Sequence, residues 1–146
     1  MARGIVFFIL YFLFSPLGAQ NWRDSLTTIN GQIATSPWST DLHLRKAAFN
    51  LQLKQWEYAI DEYKQVLQRD PRNPAALFYR AYANTHLRRY DLARNDYNDL
   101  LADHPRHFEA RLSLAVVQQL MGRRQDALDQ LTRRWRMLPV PIWSVN

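Results

Sequence analysis

The sequence predicts an all-α fold: about three helix-turn-helix units stacked in a row behind a leading helix. Three observations carry that expectation. Pro37, Pro71, Pro105 and Pro139 stand 34 residues apart. The same step is kept by Ala47, Ala81 and Ala115, by Ala59, Ala93 and Ala127, by Tyr63, Tyr97 and Leu131, and by Leu53, Leu87 and Met121. Within each unit, apolar residues recur at helical spacing on both sides of a short polar break. A fixed period of this size marks an array in which each unit is one helical pair that buries its apolar face only against its neighbours.

Residues 1–19 form an address. Arg3 gives a short positive start, and Ile5 to Phe14 is an unbroken run of ten apolar residues. At ~1.5 Å per residue the run reaches about 15 Å, half of a ~30 Å hydrocarbon core. Ser15 and Pro16 end it, and Leu17-Gly18-Ala19 supplies small residues before Gln20. The expectation is a secretory signal peptide cleaved after Ala19, with export to the periplasm or the cell exterior. Gln20 stands where a bacterial lipoprotein needs cysteine, which excludes a lipid anchor. Left uncleaved, residues 5–17 would tether the chain to a membrane.

Residues 20–39 look like a degenerate leading half-unit, with Trp22, Leu26, Ile29, Ile33 and Pro37 as its apolar marks. Unit 1 (40–73) has helices expected near 40–53 and 56–69. In unit 2 (74–107), Asn73 is a natural N-cap and Pro74 suits the first helical position. Its first helix runs to about Leu87, Arg88-Arg89 makes the turn, and the second helix runs from about Tyr90 to Asp103. His104-Pro105 ends it, since the residue before proline resists the α region. On this second helix Leu92, Ala93, Tyr97, Leu100 and Leu101 are read as the apolar stripe, and Asp91, Asp96, Asp99 and Asp103 as the wet side. Unit 3 (108–141) repeats the pattern near 108–121 and 124–137, with Asp129 and Arg133 spaced as a favourable pair. Residues 142–146 are a short tail. The alanine of each first helix should face the alanine of its partner helix, so that the two backbones approach closely; a bulky side chain there overpacks the crossing by about 1–3 kcal/mol.

Composition narrows the chemistry. Of 146 residues, 47% are hydrophobic and 22% charged, the balance of a folded domain. Cysteine is absent, which excludes disulfide frameworks, thiolate metal sites and catalytic thiols. The four glycines, Gly4, Gly18, Gly31 and Gly122, cannot build a phosphate-cradling loop. A net charge of +6 raises nucleic acid or an anionic surface as partners. No nucleic-acid motif accompanies it, and an exported chain does not meet chromosomal DNA, so no nucleic-acid partner is expected.

The unit Ala76-Leu77-Phe78-Tyr79-Arg80-Ala81-Tyr82-Ala83, followed by Tyr90-Asp91-Leu92-Ala93, Tyr97 and Pro105, resembles the tetratricopeptide repeat (TPR) family over residues 40–141. The large aromatic usual early in the first helix is His43, Leu77 and Arg111 here, and the turn glycine survives only as Gly122. The resemblance implies a right-handed αα superhelix, a TPR solenoid, in which the first helix (A) of each unit lines a concave groove. It also implies a non-enzymatic protein that binds a protein or peptide partner. Family members that grip the carboxyl-terminal peptides of chaperones use Lys, Asn, Asn, Lys and Arg at five groove positions. Leu44, Ala48, Tyr79, Glu109 and Ser113 stand there instead, so that clamp is missing. The expected groove is Leu44, Phe78, Tyr82, Leu112 and Val116, with Thr85, His86 and Gln119 as polar points. The alternative is that Phe78 and Leu112 pack between helices. Expected packing positions are Ala47, Ala59, Tyr63, Pro71, Ala81, Ala93, Tyr97, Pro105, Ala115, Ala127, Leu131 and Pro139.

Other constellations point nowhere sharper. His104 and His107 flank Pro105 in a loop and share no helix face, unlike paired zinc ligands. No Gly-x-Ser-x-Gly elbow occurs, and Asp61 and Glu62 diverge on a helix. A hydrolytic or metal-dependent enzyme on this scaffold is therefore the least favoured reading, and no cofactor or metal is expected. The arginines at 88–89, 123–124, 133–134 and 136 read as turns and helix ends, or as a surface for an acidic partner. Leu128, Leu131, Trp135 and Leu138 present an apolar face at the last helix, with residues 140–146 to cover it. Self-association or partner contact through that end is the expectation.

Overall fold

The computed structural model describes residues 16–137, with side chains from 23 to 132. Among the described residues there are seven helices and no strand: α1 Pro16–Thr35, α2 Thr40–Gln52, α3 Trp56–Arg69, α4 Pro74–His86, α5 Tyr90–Asp103, α6 Phe108–Leu120 and α7 Arg124–Met137. The pairs α2–α3, α4–α5 and α6–α7 pack within units, α3–α4 and α5–α6 between units, and α1 packs on α2. The six repeat helices end within a residue of the expected spans. Helix α1 differs: it starts at Pro16, read as ending the apolar run, and continues through Ala19, the residue expected to end the leader. Proline is at home there, because a first-turn N–H has no partner inside the helix. No described helix is long and apolar enough to cross a membrane. The run from Ile5 to Phe14, Pro139 and the tail lie outside the described residues, as do the side chains of Arg133 and Trp135.

Helix boundaries recur with the same period because the capping chemistry does. Ser39 Oγ, Asn73 Oδ1 and His107 Nδ1 accept from the backbone N–H of Leu42, Ala76 and Ala110 at 3.4, 3.0 and 3.3 Å. A cap by a Ser or Asn side chain is worth about 1 kcal/mol. At the turn between paired helices, Lys54, Arg88 and Gly122 take the left-handed conformation, with φ of 57°, 58° and 76°. The next residue's N–H returns to the carbonyl of Asn50, Asn84 or Gln118 at 2.8, 2.9 and 2.8 Å. This is a Schellman closure, built with glycine in one unit and without it in two.

The alanines at 47, 81, 115, 59, 93 and 127 are buried, as are Tyr63, Val66, Leu77, Tyr97, Leu100, Leu114 and Val117. The α5 stripe keeps Ala93, Tyr97 and Leu100 of the expected one but takes in Asp96 and leaves out Leu92. Asp96 is only 5% exposed, whereas Leu92 points to solvent. The inward row is Ala93, Asp96, Tyr97 and Leu100, spaced i, i+3, i+4 and i+7. Asp96 is tolerated on it because Arg80 of α4 grips both carboxylate oxygens, at 2.8 and 2.6 Å. In unit 1 the equivalent positions hold Lys46 and Glu62, paired at 2.7 Å.

Two further polar residues tie units together from inside. His43 sets Nδ1 against Glu62 Oε2 at 2.6 Å and Nε2 against the Pro37 carbonyl at 3.0 Å. Buried Arg111 donates to the Pro105 carbonyl. Both residues stand where the family pattern has a large aromatic, so the departures read in the sequence serve as struts to the preceding proline turn. Arg69 lies over the Trp38 ring at 4.7 Å, fastening the leading segment to unit 1. Arg89 bridges to Glu57 at 2.9 and 2.5 Å, and Arg72 to Asp103, both across the junction of units 1 and 2.

Candidate functional site: a groove between the A helices

Helices α4 and α6 touch each other, as expected of A helices on the inside of a curved array. Their exposed faces carry two rows. On α4 these are Tyr79, Tyr82 and His86; on α6 they are Leu112, Val116 and Leu120. The tyrosines and the three aliphatic residues are between 41% and 53% exposed. A patch of large apolar side chains left wet on adjacent helices is uncommon unless something binds there.

The expected groove residues divide. Tyr82, His86, Leu112, Val116 and Gln119 are exposed on these faces. Leu44 and Phe78 are half-buried and packed against the core. Phe78 meets Tyr97 edge-on at 5.8 Å and stacks on His107 at 5.5 Å. Of the two residues read as either groove or packing, Phe78 thus leans to packing and Leu112 stays open. Thr85 is half-buried, and its hydroxyl donates to the Ala81 carbonyl at 2.9 Å.

Three residues of this face were missed by sequence reasoning. Tyr79 was weighed only as a clamp position. Leu120 stands 34 residues after His86, so the period itself was the signal. Trp56, first residue of α3, stacks on His86 at 4.2 Å with rings parallel to 1° and meets Tyr82 edge-on at 6.1 Å. No local spacing announces that contact, since it joins two units.

Beneath the rows lie buried tyrosines. Tyr63 stacks on Tyr79 at 6.2 Å. Burial pushes the Tyr63 phenol well above its ordinary range, with Tyr79 adding to the effect. Burial also raises the Tyr97 phenol, against hydrogen bonds with Ser113 and Thr85 that draw it down. Towards the N-terminal ends of the A helices, a cleft of about 930 Å³ opens between Phe78, Tyr79 and the 103–107 turn. Of the clamp positions, Glu109 is exposed and lies 3.2 Å from His107 Nδ1, a negative charge where the clamp uses a positive one. Among the described residues no group of three or more His, Asp or Glu could hold a metal ion.

The tetratricopeptide-repeat family model matches residues 50–99 and 86–139. The chain belongs to the tetratricopeptide-repeat family. It is 26% identical over 106 residues to a DnaJ homolog subfamily C member 7 homolog of Dictyostelium discoideum, which covers 73% of this chain and 20% of that protein. It is 35% identical over 88 residues to peptidyl-prolyl cis-trans isomerase FKBP4 of Mus musculus, over 60% of this chain and 19% of that one. The chain therefore spans about a fifth of the length of these relatives. Among solved structures, MamA superposes with a TM-score of 0.77 at 14% identity, covering 85% of this chain and 72% of that chain. MamA from Desulfovibrio magneticus RS-1 gives 0.75 at 14% identity, covering 84% and 69%. At that identity the likeness shows the fold, an all-α helical-repeat superhelix. A TPR array of this kind is a protein-interaction scaffold.

Proposed function

We propose that this TPR protein is an exported, non-catalytic adaptor that holds an apolar segment of a partner protein in the groove between α4 and α6. The observation that carries the reading is the pair of exposed rows on helices that touch, Tyr79 and Tyr82 on α4 and Leu112, Val116 and Leu120 on α6. Apolar side chains in a concave surface gain binding energy as a ligand displaces their water, and the fewer the charges nearby, the less a ligand must be desolvated to enter. The absence of the clamp cations in this groove favours apolar recognition over an acidic terminus. Export rests on the apolar run from Ile5 to Phe14 and the small residues before Gln20.

Two measurements test the two halves. In a comparative pull-down from native envelope, Tyr82→Ala with Val116→Ala should deplete one or more proteins that the parent retains, while far-ultraviolet circular dichroism is unchanged. Equal retention by both would overturn the groove assignment. Phe78 is a poor choice of probe, because its ring is half-buried against Tyr97 and His107. The intact mass of the protein recovered from its native cells should correspond to a chain beginning at Gln20. A mass that includes residues 1–19 would instead make it a tethered protein.

A further inference from the structure

We propose a second binding site, independent of the groove: the cleft of about 380 Å³ where α3, α4 and α5 meet takes a glutamate side chain from an acidic segment of a partner protein. The cleft shares no residue with the two rows of the A-helix face. Three cations line it, Lys64 of α3, Arg80 of α4 and Arg89 of the turn before α5, and Asp96 is the one carboxylate among its described lining residues. The floor carries the observation that asks for a ligand. Asn84 lines the cleft and is 3% exposed, yet its Oδ1 has no hydrogen-bond partner. A buried polar atom left unpaired is costly, and folded interiors keep few of them. Turning the amide over exchanges Oδ1 with Nδ2 and sets an N–H at that point, a donor for a carboxylate oxygen.

The cations can answer the same ligand. Arg80 spends Nε and Nη2 on Asp96, which leaves Nη1 to donate into the cleft. Lys64 and Arg89 are paired with Asp61 and Glu57, but with side chains 55% and 43% exposed. Ion pairs so wet contribute little and exchange partners at small cost, whereas a carboxylate held by several cationic donors makes the stronger, charge-assisted bonds. Leu92 at the rim and Ile60 beneath it give apolar contact for the methylenes of a glutamate, a body that a bare anion lacks. The equivalent amides Asn50 and Gln118 also carry an unpartnered atom. The three cation positions hold Asn30, Lys46 and Gln55 around the first, and Asn98, Leu114 and Arg123 around the second. Of the three units, the second alone sets three positive charges around such an amide.

The test titrates the full chain, labelled with nitrogen-15, with three soluble peptides: a glycine–serine peptide carrying spaced glutamates, its glutamine twin and its phosphoserine twin. The glutamate peptide should bind and shift the side-chain amide resonance of Asn84, and the glutamine twin should do neither. Lys64→Gln with Arg89→Gln, checked for the same melting temperature, removes two exposed cations and should weaken binding by about fivefold or more. Arg123→Gln with Arg124→Gln removes the same charge from the next unit and should leave binding unchanged. Equal loss in the two double variants would reduce the effect to diffuse attraction by a basic chain and overturn the proposal. So would equal binding of the glutamine twin, or saturation by the glutamate peptide with the Asn84 amide unmoved. Tighter binding of the phosphoserine twin at this cleft would overturn it in favour of a phosphate site, and failure of the glutamate peptide to bind would overturn it outright. None of these outcomes bears on the groove between α4 and α6.

Discussion

Substituting Asp96 should expose how much the repeat depends on a charge inside its packing. Asp96 is 5% exposed, and the Arg80 side chain that grips it is 26% exposed. Removing one partner of a fully buried pair costs about 3–5 kcal/mol, because the other charge is stranded. Here a quarter of Arg80 is already wet, so water takes part of that burden, and about 2–3 kcal/mol is expected for Asp96→Ala. For an array of this size the loss lowers Tm by about 8–12 °C, read by circular dichroism during a thermal scan. The third unit supplies a built-in control: Leu114 and Gln130 stand at the positions of Arg80 and Asp96. The double variant Arg80→Leu with Asp96→Gln copies that solution and should recover to within about 1 kcal/mol of the parent. A Tm within about 2 °C of the parent for Asp96→Ala would show that the pair is effectively solvated. A double variant as unstable as the single one would show that the loss comes from packing and not from the stranded charge.

Other consequences are open to measurement. Arg88→Gly should raise stability by about 0.5–1 kcal/mol, since Arg88 sits at φ 58°, while Gly122→Ala should lower it by about 1 kcal/mol; chemical denaturation measures both. In an alkaline titration followed by tyrosinate absorbance, Tyr63 and Tyr97 should resist ionisation through the ordinary phenol range and yield only as the chain unfolds. Their folded-state values are raised, so the stability they contribute is intact below the ordinary phenol range and is lost as pH climbs above it. On the last described helix, Leu131 is 41% exposed where its equivalents Tyr63 and Tyr97 are 2% and 1%. Light scattering across a dilution series should show mass rising with concentration, and Leu128→Lys with Leu131→Lys should abolish the rise; a concentration-independent monomer would refute contact through this face.

Helix positions were legible because each boundary is set locally. Asn73 caps, Pro74 starts and His104-Pro105 stops a helix whatever lies across from it, and the 34-residue step repeats those signals. Burial was harder to read where a tertiary partner reverses the chemistry of a residue. Asp96 looks solvent-facing until Arg80 arrives from another helix, and Arg111 looks like a defect until the Pro105 carbonyl is placed beside it. The groove was legible in part. Tyr82, Leu112 and Val116 follow from helical phase, whereas the half-burial of Phe78 depends on Tyr97 and His107, which belong to other elements. The place of Trp56 at this face was not legible because its stacking partner, His86, belongs to the next unit.

The coincidence of caps and period has a consequence for how such a chain can change length. Ser39, Asn73 and His107 occupy the same place in successive units, each capping the helix that follows. Deleting residues 74–107 would set Asn73 directly before Phe108, so α6 would inherit a cap already made for it. Duplicating the same stretch would put His107 before a second copy of Pro74, again a helix start behind a side-chain acceptor. Deletion removes the Arg88 turn together with its own helix pair and duplication copies it, so every unit that remains keeps its left-handed turn and no new loop is required. A gene encoding this array can therefore gain or lose a whole unit in one recombination event and still specify well-formed junctions, so array length, and with it the length of groove, is open to selection separately from the chemistry of any one groove position.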